Sequence, residues 1–269
     1  VNMKLFVSDI DGTLVWYNNK NNKCISEQCE NAIHTWINNG NIFAVATART
    51  YLIKNVIIDD LGINIDYLGG NGAEVVYQNG KTNFHSLPYS YFLEIGKWID
   101  KNGYDATLKI CVNGMFYAYR KDNYPFTFPE RMRNNLIDAK EKQDLKHDNT
   151  TVGVNMSLLC IPKLTKKIEK ELQELFANRC QVIATDIDNI DFIPLGIGKG
   201  QAVISLAEHY GIDKENIIVA GDEANDICMF DIAGTSYCMS HSSKEIQQKA
   251  TKVVNVLEEA IYQELNNDE

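Results

Sequence analysis

Apolar positions along this chain recur with two periods, and the switching between them predicts its elements. Lys4-Leu-Phe-Val7 and Ile42-Phe-Ala-Val-Ala46 are short apolar runs, the pattern of strands buried on both faces. Between them Ala32, Ile33, Trp36 and Ile37 recur at helical spacing, with Ser26 placed as N-cap and Gly40 as a stop. A second helical stretch over 51–61 ends at Gly62, a third short strand covers 67–69, and Asn79-Gly80 marks a hairpin turn. Strands separated by helices imply right-handed βαβ units and a parallel sheet.

The rhythm changes near residue 84. A helix over 91–99 is followed by an apparent hairpin, 106–112 with 115–120, across Asn113-Gly114. After polar, proline-bearing text over 122–148 come a strand (152–161), an amphipathic helix (164–176) and two strands (181–184, 190–193). This order reads as a separate α+β module. The βα alternation then returns, with helices over 200–210, 225–233, 243–250 and 257–266 and strands over 217–220, 237–239 and 252–254. A sheet interrupted and resumed implies an α/β core, residues 1–83 and 192–269, with an inserted α+β cap over 84–191.

The formal charge of −10 over 269 residues argues against a nucleic-acid or anionic-membrane binder, which would carry a basic patch. Seven cysteines at irregular spacing form no Cys-x-x-Cys pair, so free, mostly buried thiols in a reducing compartment are expected. No apolar run reaches membrane-spanning length and the N-terminus lacks a signal-peptide layout. A soluble, cytoplasmic protein is expected.

The chemistry concentrates where strands end. Asp9 and Asp11 lie two residues apart at the end of the first run. Residues i and i+2 of a strand face one side, so both acids can converge past its carboxyl end, where open α/β sheets place ligands. Gly12 then lets the chain turn away. Thr47 follows the second run, Lys199 opens a helix after Gly198, and Gly221-Asp-Glu-Ala-Asn-Asp226 follows the 217–220 strand. Alone, each reads as a cap, a turn or a solvated surface group. Together they suit phosphoryl transfer. A dianionic phosphate repels an attacking carboxylate, so a metal and a lysine must offset charge while a hydroxyl and backbone N–H groups hold oxygens. Mg²⁺ takes one or two carboxylates plus phosphate and water, which Asp9 and Asp222 can supply. One acid attacks phosphorus and another moves the proton, work that Asp9 and Asp11 can divide.

Asp9-Ile-Asp11-Gly-Thr-Leu14, Ala46-Thr-Ala-Arg49, Gly70-Asn-Gly-Ala73, Pro194-Leu-Gly-Ile-Gly-Lys-Gly200 and Gly221-Asp-Glu-Ala-Asn-Asp226 together resemble the haloacid dehalogenase-like superfamily, in its Cof-type branch of capped sugar-phosphate phosphatases. The resemblance implies a doubly wound, Rossmann-like parallel-sheet core and a Mg²⁺-dependent phosphatase acting on small phosphorylated metabolites. It implies Asp9 as nucleophile, and Asp11 as general acid/base that also meets Mg²⁺ through its carbonyl. Thr47 and the Ala48 amide, Lys199 and Asn225 would bind phosphate, Asp222 would ligate the metal and Asp226 would support it. Two positions depart from the family pattern. Ala48 stands where glycine is usual but keeps the needed N–H, and Met239-Ser-His241-Ser replaces Met-x-Asn-Ala, with His241 expected as a structural or loop-tip substitution. A phosphomutase on the same core is the nearest alternative; a phospho-aspartate receiver or an inactive binding protein fits less well. The leaving group is expected to meet the cap, whose aromatic and basic residues include Tyr117, Tyr119, Arg120, Tyr124, Phe126, Phe128, Arg131 and Arg133.

Overall fold

The computed structural model describes residues 3–17, 23–51, 62–119, 137–138 and 152–266. By packing, the chain divides into two units, Val1–Asn83 with Gly198–Glu269, and Phe84–Ile197.

The first unit is built on an eight-stranded sheet. Its strands run in the order Lys252–Val254, Thr235–Met239, Ile217–Gly221, Leu5–Ser8, Ile42–Ala46, Asp66–Gly69, Glu74–Val76 and Thr82–Phe84. The pairs from Lys252–Val254 across to Asp66–Gly69 are parallel. Glu74–Val76 instead turns back antiparallel to Asp66–Gly69, so the sheet is mixed at that edge.

Strand periodicity sorts the apolar residues onto two faces. Phe6, Phe43, Val45, Ile218, Ala220 and Tyr237 point into one core, which holds Ala32, Ile33 and Trp36 of helix Glu27–Asn38 and Ala260 and Ile261 of helix Leu257–Asn266. Leu5, Val7, Ala44, Ala46, Ile217 and Val219 point into the other, with Ala202, Val203 and Leu206 of helix Lys199–Tyr210. Leu5, Phe6 and Val7 are all fully buried, which is why the strand reads as an unbroken apolar run and not an alternating one. Fully burying such side chains contributes roughly 1.5–3 kcal/mol each. Phe6 is held edge-on to Trp36 at 5.7 Å and stacked on Phe43 at 5.8 Å. Helix Glu27–Asn38 starts where expected, the Ser26 side chain accepting the Cys29 N–H at 3.0 Å.

The topology decides where a site can form. From Leu5–Ser8 the chain steps outward in one direction through Ile42–Ala46 and Asp66–Gly69, and later outward in the other from Ile217–Gly221. The order therefore reverses between Leu5–Ser8 and Ile217–Gly221, and a doubly wound sheet opens its crevice at that point. Ser8 pairs with Ala220 in register, so the next residues of both strands, Asp9 and then Asp222 just beyond Gly221, leave the sheet side by side.

Two helices expected from periodicity are shorter in the structure. In place of 225–233 there is a 3₁₀ turn, Ala224–Asp226, and a single α-turn, Ile227–Phe230. Glu223 and Asp226 cap each other's backbone there, and the Gly234 N–H is already committed to the Ile217 carbonyl. In place of 243–250 the helix is Lys244–Gln247, because Thr251 is tied to Ser236 through both backbone and hydroxyl, at 2.7 Å from the Ser236 N–H. The helix expected over 51–61 lies outside the described residues, apart from Tyr51.

The second unit carries a mainly antiparallel sheet in the order Ile137–Asp138, Met115–Tyr119, Ala106–Val112, Val152–Cys160, Asn189–Ile193 and Gln181–Ala184. Helices Tyr89–Asn102 and Thr165–Leu175 cover one face, burying Phe92, Ile95, Ile99, Ile168 and Leu172 against Leu108, Ile110, Met156 and Leu158. Of the aromatic and basic residues singled out above, Tyr117 is buried in this core. The Tyr119 hydroxyl bonds Asp100. Arg120, Tyr124, Phe126, Phe128, Arg131 and Arg133 lie outside the described residues. No helix among the described residues is long and apolar enough to cross a membrane. Five of the six cysteines with described side chains are buried and Cys228 is exposed; all six are free thiols.

Candidate active site

Asp9 follows the last residue of Leu5–Ser8, and its N–H still bonds the Ala220 carbonyl at 2.9 Å. The backbone ladder thus runs one residue past the strand and fixes the Asp9 Cα. Its Oδ1 accepts from Lys199 Nζ at 2.7 Å. The same ammonium reaches Asp226 Oδ1 at 2.6 Å. Asp226 Oδ2 accepts the backbone N–H groups of Asp222 and Glu223 at 2.9 and 3.0 Å. Asp226 therefore spends both oxygens holding the lysine and its own loop. Among the described residues, the second oxygen of Asp9 accepts no hydrogen bond.

Lys199 is the first residue of its helix and only 2% exposed. The helix can come so close because residue 200 is glycine: a Cβ there would lie 2.3 Å from the Cys228 carbonyl oxygen. Burial by itself would lower the Lys199 pKa, but the Asp226 and Asp9 carboxylates outweigh it and hold the ammonium above its usual range. Burial pushes the Asp9 carboxyl well up, Lys199 pulls it down, and Asp226 and Asp222 push it up again.

Asp222 lies across the crevice. Its Oδ1 accepts from Thr13 Oγ1 at 2.9 Å, and its Oδ2 sits 3.2 Å from His241 Nε2. Gly12, at φ +83°, takes a turn that side chains disfavour, and a Cβ on it would lie 2.4 Å from Asp222 Oδ2. Burial, then Asp226, raises the Asp222 carboxyl above the ordinary carboxylate range. One oxygen from each of Asp9, Asp222 and Asp226 falls within 4.8 Å of the others. Among the described residues Lys199 is the one ammonium bonded to this group, so the ionised form of these four side chains carries two more negative than positive charges. Buried charge of that size needs a partner, and a hard divalent cation with oxygen ligands supplies the missing two. The donor set fits such an ion.

Asp11 is arranged differently. Its carboxylate is gripped by the Arg49 fork, Nε to Oδ2 and Nη2 to Oδ1, both at 2.6 Å. It does not belong to the three-carboxylate group. Thr47 follows its strand, 1% exposed, with its Oγ1 accepting the Arg49 N–H at 3.1 Å. Half-buried Ala48 lies between them. Glu74, 2% exposed, pins the next stretch of that loop, Oε2 accepting from Thr50 Oγ1 at 2.9 Å and the Tyr51 N–H at 2.7 Å. Asn225 Nδ2 donates to Asn71 Oδ1 at 3.2 Å, while its own Oδ1 is buried without a protein partner.

The structure thus gathers Asp9, Asp222, Asp226 and Lys199 into one bonded group and sets Asp11 and Thr47 beside it through Arg49. Sequence reasoning gave no role to Thr13, Arg49, Asn71 or Glu74, although all four lie inside or next to the quoted motifs. His241, expected as a structural or loop-tip substitution, has its imidazole against Asp222. The one available signal was its departure from the family pattern.

Known proteins share this fold over nearly the whole length of the chain. A solved haloacid dehalogenase-like hydrolase from Bacteroides thetaiotaomicron superposes with a TM-score of 0.78 at 19% identity, covering 97% of this chain and 99% of its own. One from Bacillus subtilis gives 0.76 at 20%, covering 98% and 99%. In sequence, the chain is 22% identical to the 5-amino-6-(5-phospho-D-ribitylamino)uracil phosphatase YitU of Bacillus subtilis, over 95% of this chain and 93% of that protein. It is 21% identical to the HMP-PP phosphatase of Yersinia enterocolitica, over 91% and 87%. The family model for haloacid dehalogenase-like hydrolases matches residues 6–265, and the chain belongs to that family.

Proposed function

We propose that the protein is a Mg²⁺-dependent phosphatase of small phosphorylated metabolites, working through a phosphorylated Asp9. The observation that carries this reading is the buried Asp9–Lys199–Asp226 group with Asp222 beside it, at the point where strand order reverses. The relatives named as phosphatases of ribitylamino-uracil phosphate and of HMP-PP support the substrate class. Asp9, Asp222 and the Asp11 carbonyl would hold the ion, with Asp226 behind them. When bound, the ion offsets the repulsion between carboxylate and phosphate.

Asp9 attacks phosphorus through the oxygen that Lys199 does not hold. The bond from phosphorus to the leaving oxygen breaks, and that oxygen takes a proton from Asp11, which has picked it up from solvent once freed from Arg49. Asp11 then accepts a proton from water as the water oxygen attacks phosphorus, which frees inorganic phosphate and restores Asp9. The Arg49 fork binds both Asp11 oxygens in the resting structure, so the exchange requires it to release at least one. Lys199 orients Asp9 and opposes the protonation that its burial favours. The Thr47 hydroxyl, the Ala48 N–H and the Asn225 side-chain N–H donate to the remaining phosphate oxygens.

Asp9→Asn tests the reading. The amide is nearly isosteric but cannot form the acyl phosphate. Phosphate release from a panel of phosphorylated metabolites should vanish while circular dichroism stays unchanged. Retention of about a tenth of wild-type turnover would remove Asp9 as nucleophile, because losing a covalent step costs on the order of 10³-fold or more.

A further inference from the structure

His241 follows the strand Thr235–Met239, the neighbour of Ile217–Gly221 in the sheet. A tight turn, closed by the Ser242 N–H on the Met239 carbonyl at 3.1 Å and tied down by the Ser240 N–H on Val254 at 2.8 Å, carries it. That places its Nε2 3.2 Å from Asp222 Oδ2. On its other side the ring meets Trp16 edge-to-face, centroids 4.9 Å apart. The two contacts fix both the position and the plane of the imidazole. Asp222 is thereby held at two points, its Oδ1 by the buried Thr13 hydroxyl and its Oδ2 by the ring. Lys199 bonds Asp9 and Asp226 and leaves Asp222 to these partners.

We propose that His241 is a positioning residue for the divalent metal, donating from Nε2–H to Asp222 Oδ2 so that the carboxylate plane is set before the ion arrives. This rests on the metal site of the proposed function. Groups that orient a ligating carboxylate change metal affinity by 10–100-fold when removed. Trp16 serves the same end by holding the ring upright.

The experiment is Mn²⁺ binding to the whole protein, followed by the electron-paramagnetic-resonance signal of free Mn²⁺, with Mg²⁺ as competitor and no substrate present. His241→Ala should weaken Mn²⁺ and Mg²⁺ alike by about tenfold or more. His241→Gln, whose amide nitrogen reaches the place of Nε2, should recover most of that loss. In the phosphatase assay His241→Ala should raise the Mg²⁺ requirement by a similar factor and leave kcat at saturating Mg²⁺ unchanged. Wild-type Mn²⁺ affinity in His241→Ala would overturn the proposal. So would equal weakening in the Ala and Gln variants, and so would a loss confined to Mn²⁺, which would make His241 a direct ligand. Asp222→Asn separates the two claims. If it binds Mn²⁺ like wild type, the metal site itself is wrong. If it loses Mn²⁺ while His241→Ala keeps it, only the role of His241 falls.

Discussion

Two glycines with nearly the same backbone provide a controlled test of the Asp222 geometry. Gly12 has φ +83° and Gly40 has φ +81°. A Cβ on Gly40 would meet nothing within 4 Å, whereas one on Gly12 would lie 2.4 Å from Asp222 Oδ2. Gly40→Ala therefore incurs only the left-handed backbone penalty, about 1–2 kcal/mol. Gly12→Ala incurs the same penalty and also drives the carboxylate away. A close C···O contact is about 3.3 Å, so Asp222 must retreat by roughly 0.9 Å. That movement of Oδ2 also strains the 2.9 Å bond that Oδ1 accepts from Thr13; its loss leaves a buried hydroxyl unsatisfied, which costs about 1–3 kcal/mol more. A misplacement near 1 Å at a reacting site lowers rate by about a hundredfold. Gly12→Ala should thus be less stable than Gly40→Ala by about 1–3 kcal/mol in urea unfolding, and should release phosphate about a hundredfold more slowly. Gly40→Ala should keep wild-type turnover. If the two variants match in both stability and turnover, the Gly12–Asp222 contact does not position the carboxylate.

Lys199→Met leaves Asp9 and Asp226 facing each other without a cation; losing one partner of a buried ion pair costs about 3–5 kcal/mol. Urea unfolding should show that loss, and adding Asp226→Asn should recover part of it; strict additivity of the two changes would mean that the pair is not coupled. In the second unit, Arg179 makes a forked pair with Glu94 at 2.8 and 2.9 Å and lies 4.1 Å from the Phe176 ring centroid. The hydrogen bond from Arg179 holds the Glu94 carboxyl below its ordinary value of 4.5. The pair's contribution is therefore complete above that value and lost as pH falls through the lowered one. Partial exposure limits it to about 0.5–1 kcal/mol. Glu94→Gln should lower the unfolding midpoint at pH 7, and the gap from wild type should narrow as pH is brought below 4.5 and through the lowered value; a gap constant with pH would assign the effect to packing.

Local chemistry was enough for the elements and for the motif residues. Unbroken apolar runs such as Leu5-Phe-Val7 encode burial on two faces directly, because a strand between two helix layers has no solvent face to alternate with. Asp9, Lys199, Asp222 and Asp226 were legible because each sits at an element's end, where the transition from apolar to polar is itself the signal. Helix length was less legible. The stretches after Asp226 and Ser243 carry helical spacing, yet hydrogen bonds from Gly234 to Ile217 and from Thr251 to Ser236 end them early. Those bonds join residues distant in the chain, and no local pattern reports them. The pairing of Arg49 with Asp11 and of His241 with Asp222, 38 and 19 residues apart, has the same origin. Sequence sets which groups end each strand, since that depends on neighbours along the chain. Strand order and register decide which of those groups meet, since a parallel sheet brings together residues that the chain holds far apart.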